Sequence, residues 1–375
     1  MSTAAIAAAV RESNATRTPL RICGRSNWLT AGRPVRANKN LSLRDEVDVV
    51  SYVPGDLTLT VRAGTPLSEI ERVTSEHDQW LPLDPYGSND GTIGATIATA
   101  SAGPLATSFG LPRDLVLGLE FVNGRGDVVR AGGRVVKNVA GFDLCRLLTG
   151  SWGTLGVITE VTLRLYARPK VDRSILVRLK GSAKESTGFL RAFLSAPVNP
   201  YSLELLGVSA AQALGLGATK VCLIRFGGNQ AAVDAQLRAL SSLSKSDEVE
   251  TAVWDRLRNL ENDAEGVIRI SGLPATFREV SATMLSDVVP WMFEYINPVR
   301  GVLRLVLRDP GNQAASEEAV PGIDPAGRPD ERIVFEKLPD EGWQDIPSSV
   351  ADSLSQGVKK AYDPSNILNP GILGD

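Results

Sequence analysis

The segment from Asp84 to Tyr166 constrains this chain more than any other. Glycines and small residues crowd two stretches of it, 87–103 and 150–156, and each runs into an apolar element. Glycine lets backbone approach a ligand closely and adopt positive φ. Consecutive free N–H groups form anion-binding concavities. Two such loops in one domain point to a wrapped, phosphate-bearing cofactor, and dinucleotides fit that description best. The bland alternative is that the small residues mark tight helix–strand packing.

Hydrophobic patterning places the loops. Strands are predicted at 20–23, 49–53, 57–63, 115–122, 127–130 and 157–166. Asn123-Gly124-Arg125-Gly126 reads as a hairpin turn. Thr65 reads as an N-cap with Pro66 at the first helical position, opening a helix to about His77. A small-residue helix is predicted at 92–100 and a helical turn at 143–148. Beyond Arg168-Pro169-Lys170 the texture changes. Strands at 175–179, 203–206, 221–226, 267–270, 302–307 and 333–335 interleave with helices at 184–194, 230–243, 276–288 and 348–361. A ferredoxin-like α+β layer fits that order. The stretch 309–332 reads as a surface loop.

Composition narrows the function classes. The chain has 375 residues, 43% hydrophobic and 22% charged, ordinary for a globular enzyme with two cores. A net charge of −3 gives no support for nucleic acid as a partner. Cys23, Cys145 and Cys222 form no paired motif, which predicts a reducing compartment, no iron–sulfur cluster of its own and no disulfide framework. With His77 the only histidine, no metal site is expected. The N-terminus lacks the basic start and apolar run of a signal peptide, and no stretch is apolar for long enough to span a membrane.

The chemistry concentrates in three loops. Thr92-Ile93-Gly94-Ala95 opens a helix whose first amides are expected to point outward unsatisfied, a partly positive end that suits a pyrophosphate. Thr99, Ser101 and Gly103 continue that line with small side chains, a surface for a flat ring. Gly150–Gly156 precedes a strand where Val157 and Ile158 offer backbone hydrogen bonds and an apolar wall to an adenine; the same glycines also suit mere loop shaping. Cys23-Gly24-Arg25-Ser26-Asn27 follows the first strand and presents amide and hydroxyl donors. There is no GxGxxG and no Walker loop, which disfavours nicotinamide Rossmann enzymes and P-loop NTPases.

Three runs carry a resemblance: TIGATIATASAGP continuing through FGLPRDLVLGLEFVNGRGDVVRAGGRVVKNVAGFDLCRLLTGSWGTLGVITEVTLRL, the earlier LTLTVRAGTPLSEIE, and the C-terminal KKAYDPSNILNPG. On these the chain resembles the FAD-binding subunits of bacterial glycolate oxidase (glycolate dehydrogenase) complexes, in the PCMH-type or vanillyl-alcohol-oxidase flavoprotein superfamily. The resemblance implies an α+β fold. Residues 1–170 would form a PCMH-type FAD-binding domain of two α/β subdomains, 171–345 a smaller ferredoxin-like α+β cap, and 346–375 a helix and tail returning to the FAD domain. Gly24, Arg25, Ser26 and Asn27 would meet the pyrophosphate. Pro85, Thr92, Ile93, Gly94 and Ala95 would meet pyrophosphate and flavin ring. Thr99, Ser101, Gly103 and Gly110 would lie along ribityl and ring, with Gly156, Val157 and Ile158 at the adenosine end. On this reading Gly94→Val strips FAD and spares the fold.

Two departures from the family stand out. Its first loop usually runs as consecutive glycines followed by Ser or Thr and Lys, whereas here Arg25 adds a cation able to pair with phosphate. No histidine sits where some relatives attach flavin covalently, so non-covalent FAD is expected, and His77 reads as a helix C-terminal residue. Related catalytic subunits use histidines in the second domain, and this chain has none there. Lys137 and Arg113 are the cations expected near reduced flavin; a structural ion pair, Arg113 with Asp114 for instance, is the alternative. The resemblance implies a subunit of a 2-hydroxy-acid dehydrogenase, beside a second FAD-binding catalytic subunit and an iron–sulfur subunit. It would be cytoplasmic and peripheral at the inner face of the plasma membrane. The competing readings are a self-sufficient FAD-linked oxidoreductase and a structural partner without catalysis.

Overall fold

The structure, a computed structural model, describes residues 2–133, 142–179, 183–275, 292–308 and 331–374. It divides into two compact units, one made of Met1–Gly103, Phe109–Arg168 and Gly342–Asp375, the other of Pro104–Ser108 and Pro169–Glu341.

Among the described residues the first unit contains nine strands: β1 (Leu20–Cys23), β2 (Lys39–Ser42), β3 (Val49–Val53), β4 (Thr58–Arg62), β5 (Gln79–Trp80), β6 (Val116–Val122), β7 (Val128–Gly132), β8 (Val157–Arg164) and β9 (Tyr166–Ala167). An antiparallel sheet runs in the order β3-β4-β8-β6-β7. Its alternating side chains Leu59, Val61, Phe121, Ile158 and Val161 share a core with Ile70, Ile93 and Ile97 of the helices Leu67–Ser75 and Ile93–Thr99. A parallel pair, β1 with β2, lies over a second core of Ile6, Val10, Leu20, Leu41, Val122, Val157, Ile367 and Leu368. This second core draws on the helix Thr3–Thr16, which the sequence reading passed over.

One local expectation is corrected. The 67–75 helix takes Pro66 as its N-cap, with no side-chain cap bond. Thr65 instead spends its hydroxyl on both the N–H and the carbonyl of Asp48, at 3.3 Å each.

Glu120 on β6 ties the N-terminal helix to the sheet. It is buried and accepts from Thr3 Oγ1 (2.8 Å), Thr159 Oγ1 (3.0 Å) and Arg130 Nε (2.8 Å). Burial pushes its carboxyl up, yet the bonds from Thr3, Arg130 and Thr159 outweigh that and hold it below the ordinary value. A folded pKa below the unfolded one gives stability that is present above the unfolded value and lost as pH falls through the folded one. Glu120→Gln is therefore expected to flatten the acid limb of the stability curve. Urea midpoints taken from about pH 7 down to about pH 3 check this.

Among the described residues the second unit is built on eight strands: β10 (Val171–Arg178), β11 (Ser202–Leu206), β12 (Val221–Gly228), β13 (Asp247–Val249), β14 (Gly266–Ser271), β15 (Met292–Asn297), β16 (Val302–Leu307) and β17 (Arg332–Lys337). They form one antiparallel sheet, β13-β10-β12-β11-β15-β16-β14-β17, where a single ferredoxin-like unit would have about four strands. Ile175, Val177, Leu203, Leu205, Ile224, Ile268 and Leu303 point to one face. There they pack with Leu190 and Phe193 of the helix Ala183–Ser195 and Val233 and Leu240 of the helix Gln230–Ser241. The expected 276–288 helix and nearly all of the 309–332 loop lie outside the described residues.

Candidate cofactor site

Strand β1 ends at Cys23, and the four amides that follow, from Gly24 to Asn27, meet no protein acceptor among the described residues. Ser26 lies at φ +66°. A left-handed residue within such a run is what lets neighbouring amides converge on an anion. Gly24 and Arg25 are half-buried, Ser26 and Asn27 exposed. A Cβ on Gly24 would stand 2.3 Å from Thr92 Oγ1. The first loop and the start of the 93–99 helix are therefore in direct contact, and only glycine permits it.

The helix itself corrects the expectation of bare amides. Thr92 is its N-cap, and its hydroxyl accepts from Ala95 N at 3.3 Å. Ile93 N donates to Thr65 O (3.0 Å) and Gly94 N to Ala63 O (2.8 Å). The chain leaving β4 turns its carbonyls onto the helix start and takes up the donors that a free helix end would expose. Gly94 is packing, not cradle: its Cβ would meet Ala63 Cβ at 2.7 Å and Ala63 O at 2.8 Å. The outer side of the helix keeps the expected texture. Ala95 is exposed, and Ala98, Thr99, Ala100 and Ser101 are half-buried, a strip of small side chains that a flat ring can lie against.

The second glycine loop docks on the far end of the same helix. Gly150 N donates to Ile97 O (3.0 Å) and Trp152 N to Ala98 O (2.8 Å). Trp152, at φ +54°, stacks on Trp28 of the first loop with centroids 6.3 Å apart. Ser151 is 7% exposed, and its hydroxyl has no partner among the described residues. Val157 and Ile158 begin β8 opposite Val122 and Phe121, and their side chains fill the two cores. Gly156 lies against Phe121 and Gly103 against Asp84 O. Pro85, which follows Asp84, is buried. Gly110, at φ +87°, turns the chain toward Asp114, whose carboxylate accepts from Leu111 N at 2.9 Å.

Of the two cations singled out, Arg113 is exposed and places Nε 4.0 Å from Asp114 Oδ1, a surface pairing of little energetic weight. Lys137 lies outside the described residues. His77 packs edge-on against Tyr52 at 5.2 Å, just beyond the helix ending at Ser75. No group of His, Cys, Asp or Glu able to hold a metal occurs among the described residues.

The structure thus gathers the loops at 24–27, 92–103 and 150–156, and adds residues the sequence reading did not single out. Ser151 is one. Lys359 is another: its ammonium donates to Thr154 O, Leu368 O and Asp363 Oδ2, each at 3.2 Å. Asn369 is the third. No local pattern announces the bond from Lys359 to Thr154 or that from Asn369 to Trp152, because the paired residues lie 205 and 217 positions apart. The set fits a dinucleotide: bare amides for a negative linker, a buried hydroxyl with spare hydrogen-bonding capacity, and a small-residue strip between them.

Comparison with known proteins agrees. Residues 1–132 match the FAD binding domain family. Over 367 residues the chain is 30% identical to glycolate oxidase subunit GlcE of Escherichia coli (strain K12), covering 97% of this chain and 95% of the relative. It is 28% identical over 358 residues to glycolate oxidase subunit GlcD of Bacillus subtilis (strain 168), covering 85% and 75%. The fold is that of p-cresol methylhydroxylase solved with substrate bound, at TM-score 0.67 and 17% identity over 100% of this chain and 87% of that one. Alkyldihydroxyacetonephosphate synthase superimposes at TM-score 0.66 with 17% identity, covering 98% and 74%. The chain belongs to the glycolate oxidase subunit GlcE family and is an FAD-linked oxidoreductase subunit.

Proposed function

We propose that this chain is the FAD-binding subunit of a glycolate-type 2-hydroxy-acid dehydrogenase complex. It works beside a second, catalytic flavoprotein subunit and an iron–sulfur subunit, in the cytoplasm at the inner face of the plasma membrane. The observation that carries this is the match in length as well as sequence to the Escherichia coli glycolate oxidase subunit, 97% of one chain against 95% of the other. No described helix is long and apolar enough to cross a membrane.

Bound FAD would supply a two-electron acceptor in a complex that oxidises a 2-hydroxy acid to a 2-oxo acid. In this reading the amides of Gly24–Asn27 hold the pyrophosphate non-covalently, with Arg25 as an added cation. Thr92, Ile93, Gly94 and Ala95 shape the wall beside it, and Pro85, Thr99, Ser101, Gly103 and Gly110 follow the ribityl and ring. Gly156, Val157 and Ile158 hold the adenosine end. Lys137 and Arg113 are the cations we assign to charge balance near the reduced cofactor.

The sole histidine, His77, sits against Tyr52, so the chain lacks the usual base for taking the alcohol proton. The purified chain is therefore expected to be yellow, yet not to bleach anaerobically with glycolate or D-lactate until the catalytic flavoprotein subunit is added. Rapid turnover by the isolated chain would instead make it a self-sufficient oxidoreductase. A colourless chain indifferent to added FAD would make it a structural partner.

A further inference from the structure

The C-terminal tail contains a side chain that joins two of the cofactor loops. Tail and β1 run side by side: Leu20 N donates to Ile367 O (2.7 Å), Asn369 N donates to Leu20 O (3.0 Å), and Leu20 and Leu368 pair in parallel. The tail then leaves β1 at Asn369, whose φ is +44°, with Pro370 next. The next amide along β1, that of Ile22, would lose its ladder partner there. Asn369 Oδ1 takes it instead, at 2.7 Å. The other end of the same amide group, Nδ2, donates to Trp152 O at 2.8 Å. Asn369 is 5% exposed, so both bonds are shielded from water, and leaving either partner unmet is costly.

We propose that Asn369 is a positioning residue for the cofactor. It fixes the spacing between the strand that ends in the Gly24–Asn27 loop and the Gly150–Gly156 loop, and thereby sets FAD affinity. This rests on the FAD reading of the site and lies outside residues 1–132, where the family match ends. Only a short primary amide does the work. It must accept from one backbone and donate to another, in a left-handed conformation that Asn tolerates. Aspartate accepts but cannot donate, and would set a carboxylate oxygen against Trp152 O. Gly153 leaves the room, since a Cβ there would come 2.8 Å from Asn369 Nδ2. Lys359 ties Thr154 O of the same loop to the same tail, so the loop is held at two points.

The tail supplies its own control. Asn366 also lies in the left-handed region, φ +49°, but is exposed and has no side-chain partner among the described residues. Asn369→Gly and Asn366→Gly both keep the backbone conformation accessible, and only the first removes the two bonds. The full-length apoprotein is titrated with FAD by flavin fluorescence, and its unfolding midpoint is measured without FAD. Asn369→Gly is expected to raise the FAD dissociation constant at least tenfold through faster release. Asn366→Gly is expected to leave affinity within twofold of the parent. Asn369→Asp, which keeps the acceptor, should fall between, and it serves as the test if the glycine variant does not fold. Unchanged affinity in Asn369→Gly, or equal loss in both tail variants, overturns the proposal. A parent protein that binds no FAD refutes the cofactor reading itself, a result distinct from either.

Discussion

Arg304→Met is expected to destabilise the second unit by about 3–5 kcal/mol, the usual consequence of stripping one partner from a buried charge pair. Arg304 on β16 is 3% exposed. Register places it directly opposite Tyr295 of β15 on one side and Arg269 of β14 on the other. Two guanidinium groups side by side repel unless carboxylates intervene. Two do. Glu261 accepts from Arg304 Nε (2.7 Å) and a terminal nitrogen (2.8 Å) and from the Tyr295 hydroxyl. Glu336 joins Arg304 (2.6 Å) to Arg269 (2.7 Å). It occupies the point on β17 where pairing with β14 slips by one residue, so the irregularity is what aims it between the arginines.

The two carboxyls differ in the folded state. Burial pushes Glu261 up, and its single arginine does not offset that. Burial also acts on Glu336, but Arg304 and Arg269 together bring it down to about 2. Glu336 therefore contributes stability that is complete above about pH 4.5 and fades as pH falls toward about 2. Without Arg304, Glu261 loses the one cation that pairs with it among the described residues and takes up a proton in the folded state. A raised folded pKa means that the variant loses stability as pH rises, so its deficit against the parent should be larger near pH 8 than near pH 5. The double variant Arg304→Met/Glu261→Leu should recover part of the loss, because it removes both charges. Guanidinium midpoints across that pH range decide it, and a loss below about 1 kcal/mol in the single variant would mean the network is not structural.

How much of this was legible in the residues depends on the range of the contact. Apolar runs in 221–226 and 302–307, each broken by a single arginine, mark β12 and β16, which send Cys222, Ile224, Phe226, Leu303 and Leu305 into the second unit's core. The Asn-Gly turn at 123–124 marks the β6–β7 hairpin. The helix Thr3–Thr16 was not visible: its inward face is Ile6, Ala7, Val10 and Ser13, too weakly apolar to stand out from an alanine-rich stretch. Strand β15 hides because Glu294 interrupts its apolar run, although it is buried in the fold. Glycine density marks loops that the structure brings together, but not what each glycine does. Whether an amide is free depends on what packs over it. The chain after β4 takes the amides of Ile93 and Gly94, the Thr92 hydroxyl takes that of Ala95, and nothing among the described residues covers those at 24–27.

That difference yields the second large effect, a pair of variants expected to part company. Gly24→Val places a side chain where a Cβ already stands 2.3 Å from Thr92 Oγ1. The loop must move away from the helix, carrying its four free amides with it. The half-buried loop is not part of either core, so unfolding of the apoprotein should change by less than about 1 kcal/mol. FAD affinity should fall about a hundredfold or more, near 2.7 kcal/mol. Gly94→Val, expected from sequence to strip FAD and spare the fold, should do nearly the reverse. Its side chain meets the backbone and Cβ of Ala63 inside the packed core, and overpacking there costs about 1–3 kcal/mol or more. The loss is paid in folding, so whatever fraction remains folded should still bind FAD, and excess FAD should raise its melting temperature by mass action. Calorimetric scans with and without FAD, beside a fluorescence titration of each apoprotein, separate the two. If Gly24→Val holds FAD as tightly as the parent, the bare amides at 24–27 are not the anion cradle.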